Sequence, residues 1–599
     1  MTNTIGETAP PAATDPLATA DQPTPTAASA ALPTASPARW WSRLVHDPAL
    51  PPVPRIPRWW SLHGVGSWFA VVFFTWSMTP SLLPRPWYLQ AVATGICVAL
   101  GYGVGTTVAA GLRKLGFSPD WSARARRWGW IALVILIVIE VPTALVLGAR
   151  WQTITRELVA MPGGDGWLWV LILPLSALVA VGLIAFGRLV IWVGKRVARF
   201  GSRFIPALPA KIVGASVAIV LTVILVQDGV LAGVLAVGGN MAAATDRLEV
   251  DGVDQPDAPE RSGSPASPVA WEDLGRNGRA FVADGPTAAD LEAFNGEPAL
   301  TPIRAYAGLG SASDVHDIAA IVVAELERTG AFDRAVLAVS TSTGSGWVNE
   351  STTMALEYLY NGDTAVAGMQ YSFLPSPLAF IADRETPQDA GQELFDAVYD
   401  VWSDLPADDR PQLVVFGESL GSYGGQSAFS GADDMVARSD GALWIGTPNF
   451  AEPWGRITNR RDAGSPERLP VVDDGEHVRF ADSSDDLEGL GAWEAPRVVY
   501  LQHATDPIVW WSPDLLLRQP DWLKEDLSPT VNPEMNWFPF VTFWQVTVDM
   551  VFSIDTPDGY GHNYELGTID AWAAILEPDG WTADDTARLR DWVTADAAS

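Results

Sequence analysis

Hydrophobic residues are distributed unevenly along the chain, and their pattern changes near residue 240. Between residues 64 and 239 they form long uncharged runs, each close to or above the roughly 20 residues that a membrane-spanning helix needs. From about residue 301 the runs are shorter and alternate with helical patterns. The pattern therefore predicts an N-terminal all-α transmembrane bundle of about five helices, followed by an α/β domain with a mainly parallel sheet.

The predicted boundaries follow from these runs and from the segments between them. A transmembrane domain at residues 61–240 contains five predicted spans, near 64–83, 88–112, 128–149, 167–190 and 212–236. Residues 1–60 are predicted as a disordered cytoplasmic tail, because the first 38 are rich in Ala, Pro and Thr. Residues 241–300 are rich in Asp, Pro, Gly and Ser and predict a linker that leads into the second domain, at 301–599.

The second domain shows continuous apolar runs of the kind that form strands buried on both faces of a sheet. Four of them precede residue 417 and two follow it: Ile303–Leu309, Ala335–Ser340, Ala365–Tyr371, Gln412–Phe416, Ala442–Ile445 and Arg497–Gln502. Helical patterns at Asp314–Arg328 and Asp389–Trp402 lie between strands.

Charge divides the chain at the same place as hydropathy. Residues 1–240 carry a net charge of +9 and the remainder −41, so the second part is an acidic domain, which argues against a nucleic-acid partner. Basic residues concentrate in the loops between predicted spans two and three and between spans four and five. The positive-inside rule then predicts a multi-pass cell-membrane protein with a cytoplasmic N-terminus and an extracytoplasmic C-terminal domain.

The strongest chemical signal is Gly417-Glu418-Ser419-Leu420-Gly421, which directly follows the apolar run Gln412–Phe416. A G-x-S-x-G motif on a strand-to-helix turn is the nucleophile elbow of α/β-hydrolases. Ser419 is therefore the candidate nucleophile, and it needs a base to take its proton.

Chain order selects the partners of Ser419, because an α/β-hydrolase places its acid and then its histidine after the nucleophile. His562 lies in a Gly-bearing loop near the C-terminus, and Asp506 follows the run Arg497–Gln502. Asp506 alone would fit a turn or helix-capping residue before Pro507, and Asp514 is a second candidate for the acid. We expect the set Ser419, Asp506 and His562 to form the triad.

The oxyanion hole requires backbone N–H groups that point at the developing negative charge. One is expected from Leu420, directly after the nucleophile. The other is expected from the glycine-bearing loop after Ala335–Ser340, where we select Gly344. An ordinary tight turn between strand and helix would give the same loop sequence.

Several motifs together resemble the actinobacterial membrane-anchored α/β-hydrolase proteins, which combine an N-terminal multi-span region with a C-terminal catalytic domain. The resemblance covers nearly everything from Trp40 onward and rests on residues 343–348, 370–376, 417–422, 503–511 and 561–564. It implies a serine hydrolase at the outer face of the membrane and leaves the substrate open.

The predicted function is a serine esterase or lipase that acts on lipid or acyl esters by an acyl-enzyme mechanism, with no metal or organic cofactor. The expected partners are membrane lipids or an acyl ester substrate. Aromatic residues between acid and base predict a substrate pocket, although the same residues would also suit core packing: Trp510, Trp511, Trp537 and Trp544.

Two alternatives stay open at the level of sequence. An acyltransferase would use the same triad with a hydroxyl acceptor instead of water. A non-catalytic lipid-handling or transport protein would use the spans themselves, and Glu140 inside the third span is its candidate site.

Overall fold

The computed structural model describes residues 62–117, 121–250 and 252–597. The predicted tail at 1–60 lies outside these residues. By their contacts, the described residues 62–117 and those from 130 onward belong to one compact unit, and residues 121–129 belong to another.

The described part of the N-terminal region contains six α-helices. They are α1 (Gly64–Ser77), α2 (Trp87–Lys114), α3 (Ala123–Leu158), α4 (Ile172–Gly201), α5 (Ala207–Ile224) and α6 (Ala232–Asp246). A 3-10 segment, Gly166–Leu171, leads into α4, and a π-helical segment, Leu225–Leu231, joins α5 to α6. Among the described residues, four helical stretches are long and apolar enough to cross a membrane, judged by length and composition: Trp87–Lys114, Ala123–Leu158, Gly166–Gly201 and Ala207–Gly229.

The first predicted span, 64–83, requires correction. Only the 14 residues of α1 are helical, and a helix of this length is about 21 Å long, short of the about 30 Å of a bilayer core. The prolines at 80 and 84 explain the early end, because a residue before proline is disfavoured in helical conformation. The segment from Met78 to Pro86 instead continues as non-helical chain.

The C-terminal domain is built on one seven-stranded parallel sheet, as the apolar runs predict. Its strands lie in the order β1-β3-β2-β4-β5-β7-β6 and all neighbouring pairs are parallel. They are β1 (Ile303–Ala307), β2 (Val336–Thr341), β3 (Thr364–Met369), β4 (Gln412–Glu418), β5 (Gly441–Ile445), β6 (Val478–Ala481) and β7 (Arg497–Leu501). The six predicted strands are confirmed, and β6, inside a polar insert, is additional.

Helices cover both faces of this sheet, and two buried hydrophobic clusters fill the space between the helices and the strands. The helices are α7 (Gly275–Ala283), α8 (Ala288–Asn295), α9 (Val315–Thr329), α10 (Glu350–Leu359), α11 (Ser376–Ala382), α12 (Thr386–Asp404), α13 (Leu420–Gly425), α14 (Ala432–Arg438), α15 (Glu452–Asn459), α16 (Pro507–Trp510), α17 (Val541–Asp549), α18 (Gly567–Leu576) and α19 (Ala583–Ala597). The predicted linker therefore carries two of these helices, α7 and α8.

Candidate active site

The Gly417–Gly421 motif forms the expected sharp turn between β4 and α13. Ser419 has φ 54° and ψ −119°, a backbone conformation that is strained for a residue other than glycine. The helix α13 then packs so closely on the end of β2 that a Cβ atom at Gly421 would lie 2.2 Å from the carbonyl oxygen of Thr341. Glycine at this position is therefore a requirement of the turn's packing.

Asp506 and His562 are in direct contact, although 56 residues separate them. His562 Nδ1 donates to Asp506 Oδ2 at 2.6 Å, and both side chains are buried. Asp506 also caps the short helix α16, because its Oδ1 accepts from the N–H of Ile508 at 2.8 Å. The hydroxyl of Tyr564 donates to Oδ2 at 2.7 Å. The carboxylate is thus held by three donors in the orientation that binds the imidazole.

The second ring nitrogen of His562 is left available. Its Nε2 atom is buried and has no hydrogen-bond partner among the described residues. The loop that carries the imidazole is fixed at its backbone, since the His562 N–H donates to the Ser553 carbonyl at 2.8 Å. The preceding residue is also tied down, with the Gly561 N–H bound to Thr505 Oγ1 at 2.9 Å.

Ser419 and His562 both lie at the carboxyl end of β5. The Ser419 N–H donates to the carbonyl of Ile445 at 2.9 Å. The next residue, Gly446, lies against the imidazole, because a Cβ atom there would be 2.4 Å from His562 Cε1. The structure therefore brings all three predicted triad residues to one strand end. Asp514 is exposed and pairs with Arg518 at the surface.

Neighbouring groups change the pKa of the His562 imidazole. Burial lowers this pKa, but the charge and hydrogen bond of Asp506, together with the charge of Glu418, raise it overall above the ordinary histidine value. A second histidine, His503, is close by and stacks on Tyr564 with ring centroids 3.9 Å apart. Burial lowers the pKa of His503 to about 4, so this ring is neutral near pH 7.

The two predicted oxyanion donors differ in their positions. Leu420 begins α13, so its N–H belongs to the first turn, where helices leave donors unpaired. Gly344 instead faces the segment before α11: its N–H is 3.4 Å from Ser376 Oγ, and a Cβ atom would lie 2.6 Å from the Leu374 carbonyl. Ser342, next to Gly421, is closer to the elbow. The Gly344 role stays a prediction.

The four tryptophans predicted for a substrate pocket have structural contacts. Indole N–H groups of three of them bond inside the domain: Trp510 to the His503 carbonyl at 3.0 Å, Trp511 to Thr547 Oγ1 at 2.8 Å and Trp537 to the Leu515 carbonyl at 2.9 Å. Trp544 packs in a cluster with residues of α1 and α2. These contacts account for the aromatic density by packing, and the pocket role remains a prediction.

Two buried residues beside the triad escaped the sequence reasoning. Tyr564 bonds Asp506, and Glu418 receives a hydrogen bond from Asn349 at 2.5 Å. Both residues belong to motifs that were already singled out. A signal for Glu418 was its place at the end of an apolar strand, where a carboxylate inside the sheet needs a partner.

A metal ion has one candidate position in the described part of the chain. Glu476, His477 and Glu494 place ligand atoms within 4.8 Å of one another at the surface. His477 Nδ1 already lies 3.0 Å from the carbonyl oxygens of Glu494 and Pro496.

Both the helical region and the sheet domain match protein-family models. Residues 303–589 match the model described as "Alpha/beta-hydrolase family", and residues 78–286 match "Alpha/beta-hydrolase family N-terminus". The chain belongs to this α/β-hydrolase family. No curated protein and no solved structure matches it.

Family membership indicates a hydrolase, and it extends to the helical region. The N-terminal family segment begins at residue 78, directly after α1, and ends at residue 286, after α7. The long apolar helices therefore belong to the architecture of this α/β-hydrolase family together with the catalytic fold.

Proposed function

We propose that this α/β-hydrolase is a membrane-anchored serine hydrolase that cleaves the acyl ester bond of lipid substrates. The observation that carries the proposal is the buried pair of His562 and Asp506, whose Nδ1 and Oδ2 atoms are 2.6 Å apart near the elbow of Ser419. The remaining ring nitrogen of His562 has no hydrogen-bond partner in the part of the chain that the structure describes. A base that is oriented by an acid, next to a serine on a strained turn, is the arrangement that activates a hydroxyl for acyl transfer.

The proposed reaction proceeds in two steps. Ser419 Oγ attacks the ester carbonyl carbon while His562 Nε2 takes the hydroxyl proton, and Asp506 stabilises the imidazolium. The N–H of Leu420 donates to the oxyanion. The tetrahedral intermediate expels the alcohol, which receives the proton from His562, and leaves an acyl group on Ser419. Water, deprotonated by His562, then releases the acid and regenerates the serine.

Contacts with the apolar helices support a lipid substrate. Trp76 of α1 stacks on Phe538, with centroids 5.0 Å apart, and Phe73 and Cys97 cluster with Val541. The segment between the acid and the base is thus packed directly on helices of membrane-like composition. An ester with a long acyl chain is the substrate class that partitions into such surroundings.

Labelling with a fluorophosphonate probe tests the nucleophile on the full chain in detergent. Wild-type protein is expected to react, and Ser419→Ala is expected to lose the label. Ser427→Ala is the matched control, because Ser427 follows Ser419 closely along the chain and its hydroxyl bonds the Tyr423 carbonyl. Labelling that persists in a folded Ser419→Ala protein would contradict the assignment.

Lipid profiling tests the substrate class. Extracts of cells that express wild-type or Ser419→Ala protein are compared, and the inactive variant is expected to accumulate acyl esters that the wild type removes. Identical lipid profiles, together with hydrolysis of only short water-soluble esters, would exclude a lipid substrate while leaving the serine mechanism intact.

A further inference from the structure

Glu418 is a buried carboxylate at the centre of the elbow motif. It ends β4, and its side chain is 9% exposed. Because side chains alternate along a strand, it lies on the same sheet face as Val414 and Phe416, which pack in one cluster with Tyr564. This is the face from which the base loop approaches the strand ends.

Asn349 holds this carboxylate in a defined orientation. The Oδ1 atom of Asn349 caps α10 by accepting from the Thr352 N–H at 2.9 Å, which assigns the other side-chain atom as the NH₂ group. That group donates to Glu418 Oε2 at 2.5 Å. Both residues are buried, so the bond is shielded from water.

The backbone places Glu418 beside His562. In the sheet, Glu418 pairs with Ile445, and the following residue, Gly446, lies against the imidazole ring. The charged groups that act on Glu418 are His562, Asp506 and Glu565. Burial, together with the charges of Asp506 and Glu565, raises the pKa of Glu418 above its ordinary value, and the charge of His562 and the hydrogen bond from Asn349 oppose this rise.

We propose that Glu418 is a positioning residue for His562: its carboxylate, fixed by Asn349, stabilises the imidazolium that forms when Ser419 gives up its proton. The base would then face two carboxylates, Asp506 through a hydrogen bond and Glu418 through charge alone. The inference rests on the proposed Ser419–His562–Asp506 mechanism. A buried carboxylate costs free energy unless an opposite charge or donors compensate it, and the imidazolium supplies that charge during turnover.

The test is the pH dependence of kcat/KM for a short-chain p-nitrophenyl ester, measured on the full chain in detergent. Activity requires neutral His562, so it falls as the pH drops through the imidazole pKa, which the charges of Asp506 and Glu418 raise above the ordinary histidine value. Removing a nearby negative charge makes protonation harder. Glu418→Gln, which keeps an acceptor for Asn349, is expected to move the acid limb down by about 0.5–1 pH unit.

The same variant separates a charge effect from a packing effect. With less stabilisation of the imidazolium, kcat of Glu418→Gln is expected to fall about tenfold while KM changes less than about twofold. Glu418→Asp keeps the charge, so its acid limb is expected to stay close to the wild-type position. Glu565→Gln, at a less buried carboxylate, is the control and is expected to leave the limb in place.

An unmoved acid limb in an active, folded Glu418→Gln protein would overturn the proposal. Where that variant fails to fold, Asn349→Ser gives the second measurement, because serine keeps a cap for α10 but removes the amide that holds the carboxylate. A downward shift supports the inference and an unchanged limb refutes it. Whether Ser419 is the nucleophile is tested separately, by the fluorophosphonate labelling of wild type and Ser419→Ala.

Discussion

Asp506 accepts hydrogen bonds from three parts of the chain, and this fixes the imidazole of His562. The donors are the ring itself, the N–H of Ile508 and the hydroxyl of Tyr564. The Tyr564 hydroxyl also accepts a hydrogen bond from the N–H of His503 at 3.0 Å, so it connects the His503 backbone to the Asp506 carboxylate. At the residue scale, the orientation of the His562 ring therefore depends on Ile508 and Tyr564, which hold the carboxylate that it binds.

Tyr564→Phe tests this dependence. The change removes the donor to Asp506 Oδ2 and leaves the buried His503 N–H without its acceptor, which is expected to cost about 1–3 kcal/mol of unfolding free energy. We expect kcat/KM to fall about tenfold, since the carboxylate then holds the ring less firmly. Thermal unfolding and ester hydrolysis measure the two effects. Wild-type activity in Tyr564→Phe would show that the two remaining donors suffice.

The sequence was sufficient to select Ser419, Asp506 and His562 as candidates, because the elbow motif and the chain order of acid and base single them out, and their catalytic roles stay predictions. It was insufficient for Glu418 and Tyr564. Their roles come from Asn349 and Asp506, which lie 69 and 58 residues away along the chain. Pairings of that separation depend on sheet order, and no local pattern encodes them.

At the scale of elements, the strands follow from their apolar runs, whereas α1 and β6 do not. Hydropathy alone extended the first span through the prolines, because a window of apolar residues does not register where the backbone leaves the helix. The strand β6 lies in a polar insert and contains Arg479, whose side chain bonds backbone carbonyls, including that of Gly475 at 3.1 Å. Its pairing to β7 is a tertiary effect.

The segment after α1 attaches the helical region to the catalytic domain. Arg85 Nε donates to Asp549 Oδ1 at 2.8 Å, and both side chains are fully buried. Asp549 also accepts from Ser81 Oγ at 2.5 Å. Asp549 ends α17, four residues before Ser553, whose carbonyl holds the His562 N–H. The Arg85–Asp549 pair therefore lies next to the start of the loop that carries His562.

Neutralising one member of this pair is expected to destabilise the protein strongly. Arg85→Gln or Asp549→Asn each leaves a buried charge without its partner, at a cost of about 3–5 kcal/mol. The double variant keeps polar groups without charge and is expected to lose less than the sum of the single variants, with a coupling of about 1–3 kcal/mol. Thermal unfolding of detergent-solubilised protein measures the cycle.

The exposed pair Arg518–Asp514 gives a matched control for this cycle. Its charges are well solvated, so Arg518→Gln is expected to change the unfolding free energy by less than about 1 kcal/mol. Additive effects of Arg85→Gln and Asp549→Asn, or single effects as small as the control, would show that the buried junction is not an energetic link between the helices and the catalytic domain.

At the scale of the whole molecule, the two ends of α2 differ: its first residues lie near the catalytic domain and its last turn carries the basic residues Arg113 and Lys114. The helix starts beside the Arg85–Asp549 junction and ends at Lys114, where the basic loop begins. The segment before α2 runs in the opposite direction. It starts at His63, whose Nε2 atom is 3.3 Å from the Arg113 guanidinium, and it reaches Ser81, whose hydroxyl donates to Asp549.

This arrangement predicts that the catalytic domain is outside the cytoplasm, because the positive-inside rule retains the basic end of α2 within it. In a Cys97→Ala background, Asp408→Cys marks an exposed site of the catalytic domain and Ser202→Cys marks the loop after α4. A membrane-impermeant maleimide is expected to label the cysteine at 408 on intact cells and that at 202 only after permeabilisation. The reverse pattern would place the catalytic domain in the cytoplasm. Labelling of both sites on intact cells would mean that they share one side and that residues 202–408 cross the membrane an even number of times.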